Sequence, residues 1–180
     1  MTDIYTRLNS LAKDLNDIPF ISSGGCGITA LELYKRMPTE LQPRILVSGT
    51  EESNCYELVS NLQNGEHEGA VGHAFIGLTI DDEDYMFDPS GLFPSSDEDP
   101  TFGFEIADGI LHPAWLAYMV ADPYRWNPSF DRRHVPKIKA IARKHLGPVK
   151  RRVRLPVSAN NGQEYRTRSF VEARGAFEDY

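Results

Sequence analysis

The chain has 180 residues, 41% hydrophobic and 11% aromatic, which is enough for the core of one domain and excludes a disordered chain. No apolar run approaches the ~20 residues of a membrane span, and the first residues lack the basic and apolar segments of a secretory signal. Two cysteines without a Cys-x-x-Cys pair argue against a disulfide framework or a thiolate zinc site, so we expect a reducing, cytoplasmic location with no cofactor.

The charge is distributed unevenly along the chain. Residues 1–131 hold 6 basic and 22 acidic residues, a net charge of −16, whereas residues 132–154 hold 10 basic residues and no acid. An acidic body followed by a basic segment predicts either an internal electrostatic contact or a surface for an acidic or polyanionic partner. No Phe, Tyr or Trp lies between residues 132 and 154, which counts against stacking on single-stranded nucleic acid.

Hydrophobic periodicity and turn residues predict the elements. The predicted helices cover residues 3–16, 26–37, 51–63, 113–121 and 132–146. The predicted strands cover residues 44–49, 71–80 and 85–87. The last two strands form a β-hairpin over about 71–88 with its turn at 81–84. Residues 94–103 are rich in Pro, Ser, Asp and Gly and are predicted to form an exposed loop.

A cysteine stands at the start of the second predicted helix, in the sequence Gly24-Gly25-Cys26-Gly27. A helix N-terminus carries unsatisfied backbone N–H groups and a partial positive charge. These favour the thiolate form of a cysteine, which is the nucleophile, and can stabilise an oxyanion. Flanking glycines let a substrate backbone approach closely. This pattern predicts a catalytic Cys26, although a lone cysteine is more often a small buried hydrophobic residue.

A histidine and an aspartate occupy the two ends of the predicted hairpin that lie away from its turn. His73 begins the strand GHAFIGL and Asp88 ends the strand YMFDPSG. Both are about equally far from the turn, so we expect the two side chains to be close. A carboxylate that hydrogen-bonds an imidazole selects its tautomer and prepares it as a base. A structural histidine and an Asp-Pro turn are the alternative interpretations, and His67 is a second candidate base.

The order of these three fragments resembles that of papain-like enzymes, and most closely of transglutaminase-like thiol enzymes. The resemblance covers roughly residues 20–92. It implies an α+β fold in which a helix carrying the nucleophile Cys26 packs on an antiparallel sheet carrying the base His73 and the orienting Asp88. We expect one domain of this type over residues 1–147, followed by a basic-to-polar C-terminal extension over residues 148–180.

The chain departs from both groups of enzymes beside the cysteine. It has neither the glutamine that precedes the cysteine in papain nor the tryptophan that often follows it in transglutaminases. The Cys26 backbone N–H, between Gly25 and Gly27, is therefore the first candidate for the oxyanion donor. Weaker side-chain candidates are Ser22, Ser23 and Asn54.

The predicted reaction is acyl transfer from an amide of a protein or peptide to the thiol. Water would complete it as a peptidase, isopeptidase or deamidase. An amine would complete it as a transglutaminase or acyltransferase. A non-catalytic module that binds a protein or a nucleic acid is the alternative from a different class. The other assignments are structural. Cys55 lies in the apolar stripe of its helix and is assigned to the core, whereas His112, His134 and His145 have no evident partners in the sequence and are treated as structural. The core or the cleft wall is expected to hold Trp115, Tyr124 and Trp126.

Overall fold

The structure, a computed structural model, describes residues 3–50, 54–64, 71–121 and 130–154. Within these ranges it has a mixed α+β architecture. The helices are α1 (Ile4–Asn16), α2 (Cys26–Arg36), α3 (Cys55–Gln63), α4 (Pro113–Ala121) and α5 (Val135–Leu146). The strands are β1 (Arg44–Ser48), β2 (His73–Ile80), β3 (Glu83–Asp88) and β4 (Gly91–Pro94). Short 3₁₀ turns precede β1 and α5, at Thr39–Leu41 and Arg132–His134.

All five predicted helices are present, because the apolar stripes that predicted them face the core. In α1 the buried residues include Leu8, Leu11 and Leu15, which lie at helical spacing. The basic helix predicted over 132–146 consists of a 3₁₀ turn followed by α5, and the helix predicted over 51–63 begins at Cys55. Residues 51–53 lie outside the described ranges. None of the helices described here is both long enough and apolar enough to cross a membrane.

The sheet has the order β1-β2-β3-β4, with antiparallel neighbours throughout. The predicted hairpin is confirmed as β2 and β3, but its turn is tighter than expected. Only Asp81 and Asp82 lie between the strands, with φ angles of 52° and 65°. Two central residues with positive φ are the pattern of a type I′ turn, which matches the twist of the strands. Glu83 and Asp84 therefore extend β3 and do not belong to the turn.

The chain departs from the sequence prediction after Asp88. A fourth strand, β4, was not expected, and it pairs with β3 through Asp88 opposite Gly91. The loop predicted over residues 94–103 is exposed over residues 94–98 and at Phe102 and Gly103, but Asp99 is only 1% exposed and Thr101 is half-buried. Polar composition predicted exposure, whereas buried hydrogen-bond partners decide the position of these two side chains.

Helix α2 is the centre of the fold. It packs against β1 and β2 on one side and against α4 and α5 on others, while α1 contacts α5 and β4. Nine of its 11 residues are buried. A helix that is covered on nearly all sides has little freedom to move, since protein interiors are close-packed. The residue at its N-terminus, Cys26, is therefore held in a defined position against the sheet.

The chain that follows α5 returns to the C-terminal end of α2. The backbone N–H groups of Lys150 and Arg151 donate to the Lys35 carbonyl, at 2.8 and 3.1 Å. The Arg151 guanidinium donates to the carbonyls of Tyr34 and Met37, at 3.0 and 2.7 Å. Unsatisfied carbonyls at a helix C-terminus attract cations. This contact lies at the end of α2 opposite to Cys26.

Candidate active site

Cys26 is the first residue of α2 and is 3% exposed. The residue before it, Gly25, occupies the N-cap position, and no side chain caps the helix. The backbone N–H groups of the first turn, including those of Cys26 and Gly27, are thus not satisfied by a capping side chain. This is the local arrangement that the sequence predicted, and it leaves donors of positive partial charge beside the thiol.

Glycine at position 25 is required by a close contact. A Cβ atom there would lie 2.7 Å from a ring carbon of Phe130 and 2.8 Å from the Ile21 carbonyl oxygen, both too short for a real contact. The loop that leads into Cys26 therefore packs directly against Phe130, which lies two residues before the 3₁₀ turn that precedes α5. Gly25 serves to place the loop, in addition to any contact that it makes with a substrate.

His73 is the first residue of β2 and is fully buried. Its imidazole lies between two aromatic rings. Phe75, two residues along the strand and on the same face, stacks with it at 5.7 Å between ring centroids. Phe102 meets it edge-on at 5.2 Å. The two rings restrict the rotation of the imidazole and exclude water from its faces.

His73 and Asp88 form the predicted pair. Nε2 of His73 lies 2.9 Å from Oδ2 of Asp88, and both side chains are almost completely buried. His73 and Asp88 are diagonal neighbours on the sheet. The register of β2 and β3 places Ile76 opposite Phe87. Continued by one residue, it places Asp88 opposite Phe75, which is two residues from His73. Diagonal neighbours on one face of a sheet are within reach of long side chains. The argument that His73 and Asp88 are about equally far from the hairpin turn therefore predicted their contact, although it did not give the register of the two strands.

The protonation states of the pair are coupled. Burial by itself disfavours a charged imidazole, but the hydrogen bond with Asp88 and the nearby Cys26 thiol outweigh it and raise the pKa of His73 to about 9. Burial likewise opposes the ionised carboxylate, but the hydrogen bonds from His73 and Thr101 lower the pKa of Asp88. At neutral pH the pair is therefore an imidazolium bound to a carboxylate.

The second ring nitrogen of His73 is the atom available to a nucleophile. Nδ1 is buried and has no hydrogen-bond partner of normal geometry among the described residues. The Cys26 thiol nevertheless lies close enough to the ring to contribute to the raised pKa of His73. Both observations are explained if the Cys26 thiol lies near Nδ1 but outside the distance or angle of a hydrogen bond. The structure thus brings together Cys26, His73 and Asp88.

Asp88 has two further partners that the sequence analysis missed. The backbone N–H of Ser90 donates to Oδ1 at 2.7 Å, and the Thr101 hydroxyl makes a short hydrogen bond to Oδ2. Ser90 could have been inferred, because an aspartate commonly accepts from the N–H two residues ahead in a turn. Thr101 could not, since nothing local in its loop indicates a contact with β3.

The remaining predicted site residues lie in different places. Gly27 is buried in the first turn of α2, next to Cys26, and Ser23 is exposed in the preceding loop. Asn54 is the N-cap residue of α3, and its amide donates to Glu57 of the same helix at 3.3 Å. This contact belongs to the start of α3, beside Cys55. His67, Tyr124, Trp126 and residues 155–180 lie outside the described ranges.

No group of three or more metal-ligating side chains occurs in the ranges that the structure describes. One acidic residue near the turn of the β2–β3 hairpin, Asp84, is bound by neighbouring side chains. Asp84 accepts hydrogen bonds from Arg44 at 2.7 Å and from Thr79 at 2.8 Å. These contacts join β1, β2 and β3 at the end of the sheet away from His73. The hydrogen bond from Arg44 is the main reason that the pKa of Asp84 is lowered.

Comparisons with known proteins assign no family to the chain. It matches no protein-family model, and neither its comparison with curated proteins nor that with solved structures found a match. The chemistry of the site therefore has to be inferred from its own geometry.

Proposed function

We propose that the protein is a cysteine-dependent hydrolase of papain-like or transglutaminase-like type that cleaves an amide bond in a protein or peptide. The observation that carries the proposal is the state of His73, whose Nε2 is bound to Asp88 while its buried Nδ1 has no hydrogen-bond partner in the described ranges. A buried polar atom without a partner costs free energy and needs an explanation. A proton exchange with Cys26 explains it.

The proposed reaction uses each residue in one role. The Cys26 thiolate attacks the amide carbonyl carbon, and the His73 imidazolium gives its proton to the departing amine as the C–N bond breaks. The acyl group is then held as a thioester. Neutral His73 takes a proton from water as the water attacks the thioester carbonyl. The C–S bond then breaks, the carboxylic acid product leaves, and the Cys26 thiolate is restored beside the His73 imidazolium. Asp88 holds the ring by Nε2, so that Nδ1 faces the sulfur throughout.

The oxyanion is assigned to backbone donors of α2. The N–H groups of Cys26 and Gly27 are uncapped, and the charge that develops on the carbonyl oxygen would lie at the positive end of the helix. This arrangement needs no glutamine before the cysteine. Of the side-chain candidates, Ser23 is preferred over Asn54 because it lies in the loop that leads directly into α2, whereas Asn54 is the N-cap residue of α3.

Hydrolysis is preferred over transfer to an amine. The first half of the reaction is the same for a transglutaminase or acyltransferase, and the same triad would serve both. Transfer needs a second binding site that positions an amine, and the sequence has no pattern that indicates one. Water needs none.

The test is the rate at which iodoacetamide alkylates each cysteine, with the labelled residue identified by mass spectrometry. Cys26 and Cys55 are 3% and 5% exposed, so the two thiols are matched in burial within one molecule. We expect Cys26 to react at least about tenfold faster than Cys55 at pH 7, because only Cys26 faces an imidazole. We expect His73→Gln, which replaces the base with a neutral amide of similar size, to remove the difference.

Cys55 also reports whether each variant is folded, since unfolding would expose it and accelerate its labelling. Slow labelling of Cys26 in the wild type, or labelling that His73→Gln does not change while Cys55 remains protected, would contradict the proposed function. The protein would then have to be treated as a binding module.

A second function is favoured by a separate observation, the exposed basic face of α5. Several cations of the basic segment are engaged internally, including Arg151 at the end of α2 and Lys144, which pairs with Asp14 at 2.7 Å. Lys137, Lys139 and Arg143 are exposed and have no ion pair with any described residue. We propose that this face binds an acidic or polyanionic partner.

The probe is a fluorescent polyglutamate, with a DNA duplex of similar charge as the comparison. Binding to the polyglutamate should weaken steeply as salt increases, because the contact is between charges. Replacing Lys137, Lys139 and Arg143 together by alanine should abolish it without changing Cys26 labelling. Absence of binding at low salt would refute the proposal, and selective binding of the duplex would assign the face to nucleic acid.

A further inference from the structure

A buried carboxylate that the proposed reaction does not use lies next to the triad. Asp99 is 1% exposed, although the loop around it is polar. Its Oδ2 accepts a hydrogen bond from the Ser48 hydroxyl at 2.7 Å. Its Oδ1 accepts from the backbone N–H groups of Thr101 and Phe102, at 2.9 and 2.8 Å. A buried carboxylate is tolerated only when such donors compensate for the loss of water, so this one is specifically accommodated.

The first partner of Asp99 connects it to the strand beside His73. Ser48 is the last residue of β1, is fully buried, and lies opposite His73 in the pairing of β1 with β2. The chain next to this point is also tightly placed, because a Cβ atom on Gly72 would lie 2.2 Å from the Gly49 carbonyl oxygen. Asp99 is therefore attached to a rigid part of the sheet, one strand away from the base.

The other two partners of Asp99 are the residues that touch the catalytic pair from the loop. Thr101 donates its hydroxyl to Asp88, and Phe102 places its ring edge-on against the His73 imidazole, at 5.2 Å between centroids. The Asp99 backbone reinforces the same turn, since its N–H donates to the Phe104 carbonyl at 2.8 Å and its carbonyl accepts from Gly103 at 2.9 Å. One side chain thus organises the loop over both members of the pair.

We propose that Asp99 is a positioning residue that holds the loop of residues 99–104 against His73 and Asp88. Anchored on Ser48, it sets the Thr101 hydroxyl on the carboxylate and the Phe102 ring on the imidazole. Together these contacts keep water away from the hydrogen bond between His73 and Asp88. The effect on catalysis rests on the proposed function, whereas the effect on the His73–Asp88 hydrogen bond does not.

The experiment measures exchange with solvent of the His73 Nε2 proton, followed by NMR as a downfield imidazole resonance and assigned by its loss in His73→Gln. We expect Asp99→Ala to accelerate exchange by about tenfold or more, because the loop no longer covers the hydrogen bond. Asp99→Asn should restore much of the protection, since its amide oxygen can still accept from the backbone N–H groups. Asp97→Asn is the matched control, an exposed carboxylate in the same segment whose side chain makes no hydrogen bond or ion pair with a described residue.

The alkylation rates provide the second measurement. Asp99→Ala should slow the labelling of Cys26 and alter its pH profile while Cys55 remains protected, which a general loss of stability would not do. If Asp99→Ala does not fold, Ser48→Ala removes one anchor and takes its place in both measurements. Exchange as slow in Asp99→Ala as in Asp97→Asn would overturn the inference, whatever the reactivity of Cys26. Slow labelling of wild-type Cys26 would instead count against the proposed function and leave the exchange result standing.

Discussion

The two cysteines of the protein have nearly the same local setting and different neighbours. Cys26 is the first residue of α2 and Cys55 is the first residue of α3. Both are buried, and neither helix has a side-chain cap. The helix predicted over 51–63 would have placed Cys55 in its interior, whereas α3 begins at Cys55. The assignment of Cys55 to the core is confirmed.

What differs is the group that each thiol faces. The Cys26 thiol lies close enough to His73 to help raise the pKa of its imidazole, whereas the Cys55 thiol donates to the Glu105 carbonyl at 3.4 Å. Burial is the main reason that the pKa of Cys55 is raised, and the nearby charges of Glu105 and Asp108 add to it. A position at a helix N-terminus therefore does not by itself place a thiol beside an imidazole. The neighbouring strand and loop decide whether the thiol meets a base or an acceptor.

The largest expected effect is the loss of stability on replacing Asp88, which contacts His73 beside Cys26 and has no counterpart at Cys55. Asp88→Ala would leave the His73 imidazolium buried without its partner, and breaking a buried charge pair in this way costs about 3–5 kcal/mol. We expect the free energy of unfolding in urea to fall by that order and Cys26 labelling to slow. Asp88→Asn, which keeps a hydrogen-bond acceptor, is the milder control. Unchanged stability in Asp88→Ala would show that the pair is not formed as described.

The next effect is the dependence of stability on pH. The pKa of His73 is raised from about 6.5 to about 9, so its contribution is fully present below pH 6.5 and is lost as the pH rises through 9. A shift of that size corresponds to on the order of 3 kcal/mol. The lowered pKa of Asp88 adds stability that is present above pH ~4 and is lost in acid.

Unfolding in urea should therefore show the highest stability between about pH 4 and 6.5, with a decline towards pH 9. His73→Gln should flatten that decline. The raised pKa of Cys55 acts in a different window, because a buried thiol loses stability only when it must ionise, above its ordinary value of 9.0. A decline that survives in His73→Gln would assign the pH dependence to another group.

The smallest effect concerns Cys55. Cys55→Ala removes a buried sulfur and one weak hydrogen bond, so we expect a loss of about 1 kcal/mol in the free energy of unfolding. The rate of Cys26 labelling should not change, because no contact links the two thiols. If iodoacetamide labelled Cys26 more slowly in Cys55→Ala, the packing of α3 would have to contribute to the reactivity of Cys26.

Much of the fold could be read from local patterns. Apolar spacing predicted α1 and α5, and the prediction for α4 matched Pro113–Ala121 residue for residue. Alternation with β-branched residues predicted β2 and β3, since side chains on a strand alternate between the two faces. The positions of Cys26, His73 and Asp88 at element ends were visible for the same reason. The fourth strand was missed because Gly91–Pro94 is short and follows turn residues.

Contacts between distant parts of the chain could not be predicted in the same way. His145 was expected to have no partner, yet its Nε2 lies 2.7 Å from Asp14, more than 100 residues away. The basic segment was expected to bind either the acidic body or a partner, and it does the former in part, through Lys144 on Asp14. In each case the pairing depends on which helices pack together, and charge composition contains no such information.

The amino-acid order alone predicted the groups of the candidate site and their places in the fold: the Cys26 thiol at a helix start, the His73 imidazole at a strand start and the Asp88 carboxylate at a strand end. Periodicity and turn residues encode such placements locally, within a few residues. The three-dimensional packing brought Cys26, and not Cys55, next to His73. It also made the loop residues Asp99 and Thr101 hydrogen-bond partners of the sheet, because burial and hydrogen bonding are properties of the assembled chain.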